Sequence, residues 1–198
     1  MNLQTIEEQF LLLINNGMTN TVFDIIMPFL TRYGYLLVIP FLVSMILLAF
    51  RTKKPHGKNY AVAALGAILI SVCAFFVAEW IEDMIKIAVA RPRPCRTIEG
   101  IRLILPCPKS FSLPSGHAIT SFACALPLFF LTRRYLSFTW RLYPLLLAAV
   151  ISFSRLYLGL HYPTDVLAGA FLGAGIGLGL SIPYDIFLSR KKRKRYHG

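Results

Sequence analysis

Charge is scarce in this chain of 198 residues and acid scarcer still: charged residues make up 15% of it, with nine Asp and Glu against 21 Lys and Arg. With 56% of residues hydrophobic, so little charge excludes an ordinary soluble domain of this length. Cysteine is sparse as well. Cys73 and Cys124 lie in apolar runs and Cys95 and Cys107 in one long polar loop, without the spacing of a zinc or iron–sulfur framework. Met1 to Phe10 carries Glu7 and Glu8 and no basic n-region, so the start does not read as a cleaved secretory signal. Nor is there length for a second unit once the apolar runs are counted. One membrane-embedded domain is expected to account for residues 1–198.

Those runs set the architecture. A helix needs roughly 20 apolar residues to cross about 30 Å of hydrocarbon. Five segments qualify: Tyr33 to Phe50, Tyr60 to Ile81, Ser115 to Thr132, Leu142 to Leu160 and Val166 to Leu188. The expected fold is therefore all-α, a polytopic transmembrane helix bundle with about five spanning helices. Ahead of them, Ile6 to Leu30 is broken by Asn15, Asn16, Gly17, Asn20 and Asp24 and reads as helices lying in the interface, with a tilted, polar-laden crossing as the alternative. The last span carries Gly169, Gly173, Gly175, Gly177 and Gly179 at small-xxx-small spacings. These suit close helix packing inside the bundle; a homo-oligomer through the same face is the less favoured use.

Antiparallel threading places the Arg51 to Asn59 loop, the Arg133 to Arg141 loop and the tail 189–198 on one side. Arg51, Lys53, Lys54, Lys58, Arg133, Arg134, Arg141 and Arg190 to Arg195 make that side cytoplasmic by the positive-inside rule. The net charge of +12 is thus a matter of topology, and no nucleic-acid partner is expected. The long loop, 82–114, breaks the rule: Lys86, Arg91, Arg93, Arg96, Arg102 and Lys109 fall outside, where a polyanionic ligand would explain them. If that compartment is oxidising, Cys95 and Cys107 can pair; in a reducing one they stay free.

Three clusters converge on the outer face. Lys86 is followed by six residues and Arg93-Pro94, two cations able to clamp phosphate oxygens unless Lys86 merely pairs with Glu82 one turn earlier. Pro114-Ser115-Gly116-His117 opens a helix, whose free N–H groups and dipole attract an anion while Gly116 permits its close approach. Five residues separate Ser154-Arg155 from His161, and three more separate His161 from Asp165. Arg155 sits about 7 to 8 Å inside its span, a depth at which a charge calls for a partner or a polar cavity. Asp165 beside His161 can fix the imidazole tautomer, or simply cap the last helix.

Lys86-x6-Arg93-Pro94, Pro114-Ser115-Gly116-His117 and Ser154-Arg155-x5-His161-x3-Asp165 together resemble the three signatures of the type 2 phosphatidic acid phosphatase family, a combination shared with vanadium-dependent haloperoxidases. The resemblance implies that His161 is the nucleophile and forms a phosphohistidine, that Asp165 orients it, and that His117 protonates the leaving oxygen and later activates water. It further implies that Lys86, Arg93, Ser115, Gly116 and Arg155 bind the phosphoryl oxygens, with no metal and no cofactor. The expected partners are a membrane lipid phosphate and the phospholipid bilayer. Size and topology resemble bacterial members of the family, placing the chain in a cytoplasmic (inner) membrane with its site facing the periplasm or cell exterior. Undecaprenyl diphosphate, phosphatidylglycerol phosphate and the 1-phosphate of lipid A all fit such a site, and Arg91, Arg96, Arg102 and Lys109 as headgroup contacts would favour a multiply charged one. The competing functions are a vanadate-dependent haloperoxidase, against which the spans argue, and a lipid-phosphate binder or transporter without turnover.

Overall fold

A computed structural model describes residues 2–51 and 56–194. Lys53 and Lys54 of the first basic loop and Arg195 to Gly198 of the tail lie outside those residues, as do the side chains of Lys58 and of residues 191–194. The described residues form helices and connecting turns, with no strand among them. Helix α1, Leu3–Gly17, starts where Asn2 Oδ1 accepts from Thr5 N at 2.8 Å, and α2, Thr21–Tyr33, where Asn20 caps Phe23 N at 2.9 Å. A short 3₁₀ segment, Gly34–Val38, joins α2 to α3, Ile39–Arg51. There follow α4, His56–Val89; the single turn α5, Pro94–Thr97; α6, Gly116–Leu131; α7, Phe138–Tyr157; and α8, Pro163–Lys194.

Helix α6 is the axis of the bundle, packed by α4, α7 and α8. A Cβ at Gly169, Gly173 or Gly177 of α8 would strike the carbonyl oxygens of Ser115, Ile119 and Ala123, so α8 meets α6 backbone to backbone. That face is filled within the chain and is not free for a second copy. Helix α4 sorts its residues the same way. Ala63, Ala64, Ala67, Ala74 and Ala78 are buried, whereas Val62, Leu65, Leu69, Val72, Phe76 and Trp80 are exposed. Small residues inside and large apolar ones outside is the pattern of a helix surrounded by lipid tails.

Among the described residues, three helices are long and apolar enough to cross a bilayer: Thr21–Leu48, Tyr60–Thr97 and Pro163–Arg190. The chain is a multi-pass membrane protein, and the count of about five spans is corrected to three by this measure. The apolar helix Gly116–Leu131 is too short, and Phe138–Tyr157 contains both Arg141 and Arg155. The first crossing also begins earlier than expected, because α2 continues through the 3₁₀ turn into α3. Two of the polar residues that made 6–30 look interfacial are paired within the fold: Arg102 makes a double hydrogen bond to half-buried Asp24 at 2.8 and 3.0 Å, and fully buried Asn15 donates to the Arg102 and Tyr157 carbonyls at 3.0 and 2.7 Å, while Asn16, Gly17 and Asn20 stay exposed. Helix α1, at 15 residues, remains too short to span.

Candidate active site

Each signature is set by a helix end. Helix α4 stops because Arg91 precedes Pro92 and Ala90 turns into the left-handed region, φ 49°, which swings Arg93 back under the bundle. Ser115 is the N-cap of α6, so Gly116 and His117 form its first turn. At the other end of the site, α7 closes with Gly159 at φ 66°, and Pro163 opens α8. This tight reversal holds His161 between two helices, with Asp165 in the first turn of α8 facing back at it.

The three ends enclose a cavity of about 630 Å³ whose lining includes Lys86, Arg93, Gly116, His117, Arg155 and His161. Six of the eight residues expected to do the chemistry therefore share one space. Asp165 stands behind His161 with no exposure, and Ser115 is buried with its hydroxyl lacking a partner.

Hydrogen bonding fixes the tautomer of His161. Arg93 Nη1 lies 2.9 Å from His161 Nε2, and a guanidinium only donates, so Nε2 carries the lone pair. The proton is then on Nδ1, which lies 3.5 Å from Asp165 Oδ2 without a hydrogen bond of its own. Burial, reinforced by the charges of Arg93 and Arg155, pushes the imidazole down to about 3, against the pull of Asp165, so the ring is neutral at ordinary pH. The result is an unprotonated ring nitrogen aimed into a cationic cavity. Arg93 itself is pinned by the Ser110 carbonyl at Nε and the Leu160 carbonyl at Nη1, both at 2.8 Å.

His117 is oriented from a different direction. Its Nε2 donates to the Thr31 carbonyl of α2 at 3.0 Å, leaving Nδ1 with the lone pair of the neutral ring. Thr31 Oγ1 also accepts from Arg155 Nη1 at 3.3 Å and pairs with Ser154 Oγ at 2.6 Å. Sequence reasoning missed this service from α2, for which no local signal exists.

Glu82 was anticipated only as a partner for Lys86, and the two are indeed paired. Its carboxylate also lies so close to Gly116 that a Cβ there would collide with it. The carboxylate thus fills part of the space at the start of α6 where an anion is expected. Tyr35, Phe75, Glu79 and Thr120 complete the wall on that side.

The four expected headgroup cations divide. Arg91 is paired with Glu7 and Asp165, and Arg102 with Asp24 and Tyr157, and neither lines the cavity. Arg96 and Lys109 are exposed, and Arg96 Nη2 donates to the carbonyl of Pro108, a residue of the cavity rim, at 2.5 Å. Cys95 and Cys107 form a disulfide that ties this rim together.

Comparison with known proteins agrees with the geometry. The sequence profile described as the PAP2 superfamily matches residues 60–185. An undecaprenyl-diphosphatase of Sulfolobus acidocaldarius is 31% identical over 76% of this chain and 66% of its own length. A lipid A 4'-phosphatase of Bacteroides thetaiotaomicron is 32% identical over 82% and 70%. A decaprenylphosphoryl-5-phosphoribose phosphatase of Mycobacterium tuberculosis is 36% identical over 58% and 65%. The chain thus spans about two thirds of the length of these curated relatives. Among solved structures, a PAP2-type phosphatidylglycerolphosphate phosphatase from Bacillus subtilis superposes with a TM-score of 0.65 at 22% identity, covering 92% of this chain and 85% of the other. Aquifex aeolicus LpxE gives 0.57 at 23%, covering 88% and 94%. Shared fold, a profile match over most of the chain and the clustered signature residues together make this chain a member of the PAP2 superfamily.

Proposed function

We propose that the chain is a phosphoric ester hydrolase acting on a lipid phosphate, a mono- or diphosphate ester, through covalent catalysis by His161. The observation that carries this reading is the His161 tautomer: a lone pair on Nε2, held in a cavity with Lys86, Arg93 and Arg155, and a proton on Nδ1 facing a buried carboxylate. On substrate binding Arg93 Nη1 passes from Nε2 to a phosphoryl oxygen. Nε2 then attacks phosphorus, the bond from phosphorus to the lipid oxygen breaks, and His117, having taken a proton on Nδ1 from the incoming monoanionic phosphate, delivers it to that oxygen. Water, deprotonated by His117, next attacks phosphorus; the P–N bond breaks, phosphate leaves, and Nε2 regains its lone pair. The cations and the α6 N–H groups meet the charge of the equatorial oxygens throughout, the main requirement of phosphoryl transfer. Because side-chain cations supply that charge, the reaction needs no metal.

The relatives named above act on polyprenyl diphosphates, lipid A phosphates and a prenyl-linked sugar phosphate, so the substrate class is a phosphate ester at a membrane surface. In this reading Arg96 and Lys109 at the rim meet the headgroup, and the cavity opens away from the cytoplasm in a bacterial inner membrane. Phosphate release from undecaprenyl diphosphate, phosphatidylglycerol phosphate and a lipid A 1-phosphate in detergent micelles tests it. Turnover of at least one that persists with a chelator, stops with vanadate and disappears in His161→Ala is the expected result. A His161→Ala variant that retains the wild-type rate would remove His161 as nucleophile.

A further inference from the structure

The charge at the back of the site is arranged in a line that begins on the N-terminal helix. Asp165 Oδ2 accepts from Ser112 Oγ at 2.5 Å and Tyr162 N at 2.8 Å, and faces His161 Nδ1. Its other oxygen, Oδ1, is taken by Arg91 Nη1 at 2.8 Å. Arg91 lies over the Tyr162 ring, 3.9 Å from the centroid, and its Nη1 also donates to Thr164 Oγ1 at 2.8 Å. Nη2 reaches Glu7 Oε2 of α1 at 2.6 Å. Glu7 Oε1 in turn accepts from Thr164 N at 2.9 Å and from the Thr164 hydroxyl. Both carboxylates are almost wholly buried, Glu7 at 7% exposure and Asp165 at 0%.

Such a set makes sense by charge. Two buried carboxylates around one guanidinium leave a net negative charge beside His161, and the imidazole becomes cationic when Nε2 bonds to phosphorus. With Arg91 divided between two anions, Asp165 keeps the electron density to hold Nδ1–H. If Glu7 were neutral, the guanidinium would bear on Asp165 alone and weaken that hold. Arg91 is needed too, because two carboxylates this buried are costly without a cation between them, and a lysine could not serve the three acceptors in fixed geometry.

We propose that Glu7 and Arg91 are positioning residues for the His161 step: they reach from α1 to the back of Asp165 and fix that carboxylate, making the N-terminal helix a working part of the active site. The proposal rests on the catalytic reading above. It touches the attacking base and not the phosphate cradle, since Lys86, Arg93 and Arg155 lie on the opposite side of His161. Its kinetic mark is therefore a change in kcat at constant KM.

The test uses the full chain in detergent, with Glu7→Gln, Glu7→Asp, Arg91→Lys and, as control, Glu8→Gln, whose carboxylate pairs with Gln4 on the outer side of α1. Two readouts are taken: steady-state release of phosphate from dioctanoylphosphatidic acid, and ¹⁵N-imidazole NMR of His161, assigned by its loss in His161→Gln, which reports the ring whether or not lipid is turned over. Glu7→Gln and Arg91→Lys should lower kcat about tenfold, the scale of losing an outer-shell partner, with KM within twofold, and should shift the His161 Nδ1–H resonance. Glu7→Asp should recover part of both, and Glu8→Gln should match the wild type. Wild-type kcat and unmoved His161 signals in Glu7→Gln would overturn the proposal. So would a raised KM with a lowered melting temperature that Glu7→Asp does not relieve, since that is a packing defect. A wild-type chain that releases no phosphate from any lipid, yet whose His161 signals move in Glu7→Gln, would support the positioning pair while removing the phosphatase reading.

Discussion

At Glu82 a carboxylate shares the space in front of Gly116 with Lys86, inside the cavity that His117 and His161 line. An incoming phosphoryl group needs the same cation and the same helix N-terminus, so Glu82 competes with any anion for them. Removing its charge frees Lys86, and the anion then supplies the counter-charge that a buried ammonium requires. Glu82→Gln is therefore expected to tighten inhibition by orthovanadate about tenfold, equivalent to about 1.4 kcal/mol, measured as the inhibition constant against a lipid phosphate. An unchanged or weaker constant would show that the carboxylate does not stand in the anion's way. This competition was not legible in the sequence, where Glu82 registers only as an i, i+4 partner of Lys86. The signature residues themselves were legible because each cluster is local and marked by proline, glycine or histidine at a helix end. Glu7 and Arg91 were not, because their partners lie far off in sequence: 157 positions separate Glu7 from Thr164. An acid near the start of a chain carries no local sign of where its cation stands.

Helix α8 presents its glycines unequally. The sequence shows five of them, but only geometry separates those at Gly169, Gly173 and Gly177, which meet the α6 backbone, from Gly175 and Gly179, around which a Cβ finds nothing within 4 Å. Period sorts them: the first three are four residues apart and share one face, and the other two point elsewhere. Because Ser115 and His117 ride on the start of α6, the α6–α8 spacing also sets the distance between the anion site and the His161 turn. Gly173→Ala should force the helices apart and lower stability by about 1–3 kcal/mol, the usual cost of overpacking, with a matching fall in turnover. Gly175→Ala should be neutral, or stabilising by up to about 1 kcal/mol from helix propensity. Thermal unfolding of both variants in the same detergent checks the pair, and equal behaviour would contradict the close contact. The N-terminal crossing is the element on which sequence reasoning went furthest astray. Asp24 was counted against a span, whereas it spends its charge on Arg102 and Tyr157.

For the whole molecule, the open matter is which side of the membrane the site faces, and two independent features bear on it. The positive-inside rule predicts a cytoplasmic position for the side that carries the basic residues of the 133–141 loop and of the chain end near Arg190. Opposite them lies the disulfide of Cys95 and Cys107, a bond that persists in oxidising compartments and is reduced in the cytosol. Of the six cations of the 82–114 loop, which appeared to contradict the charge rule, three are paired with acids within the fold. Glu82 faces Lys86, Glu7 and Asp165 divide Arg91, and Asp24 holds Arg102. Internally paired cations no longer count as free positive charge at the membrane surface; by the same measure Arg133, paired with Asp185, drops out on the other side, where Arg134, Arg141 and the chain end stand against exposed Arg96 and Lys109. Alkaline phosphatase fused after Glu99, in the loop that carries the disulfide, should accordingly be active in intact cells. The same reporter fused after Gly198 should be inactive, and a green fluorescent reporter at that point should be bright. The reverse pattern would put the cavity in the cytoplasm, where Cys95 and Cys107 would be reduced and a lipid phosphate would have to be met from the inner leaflet.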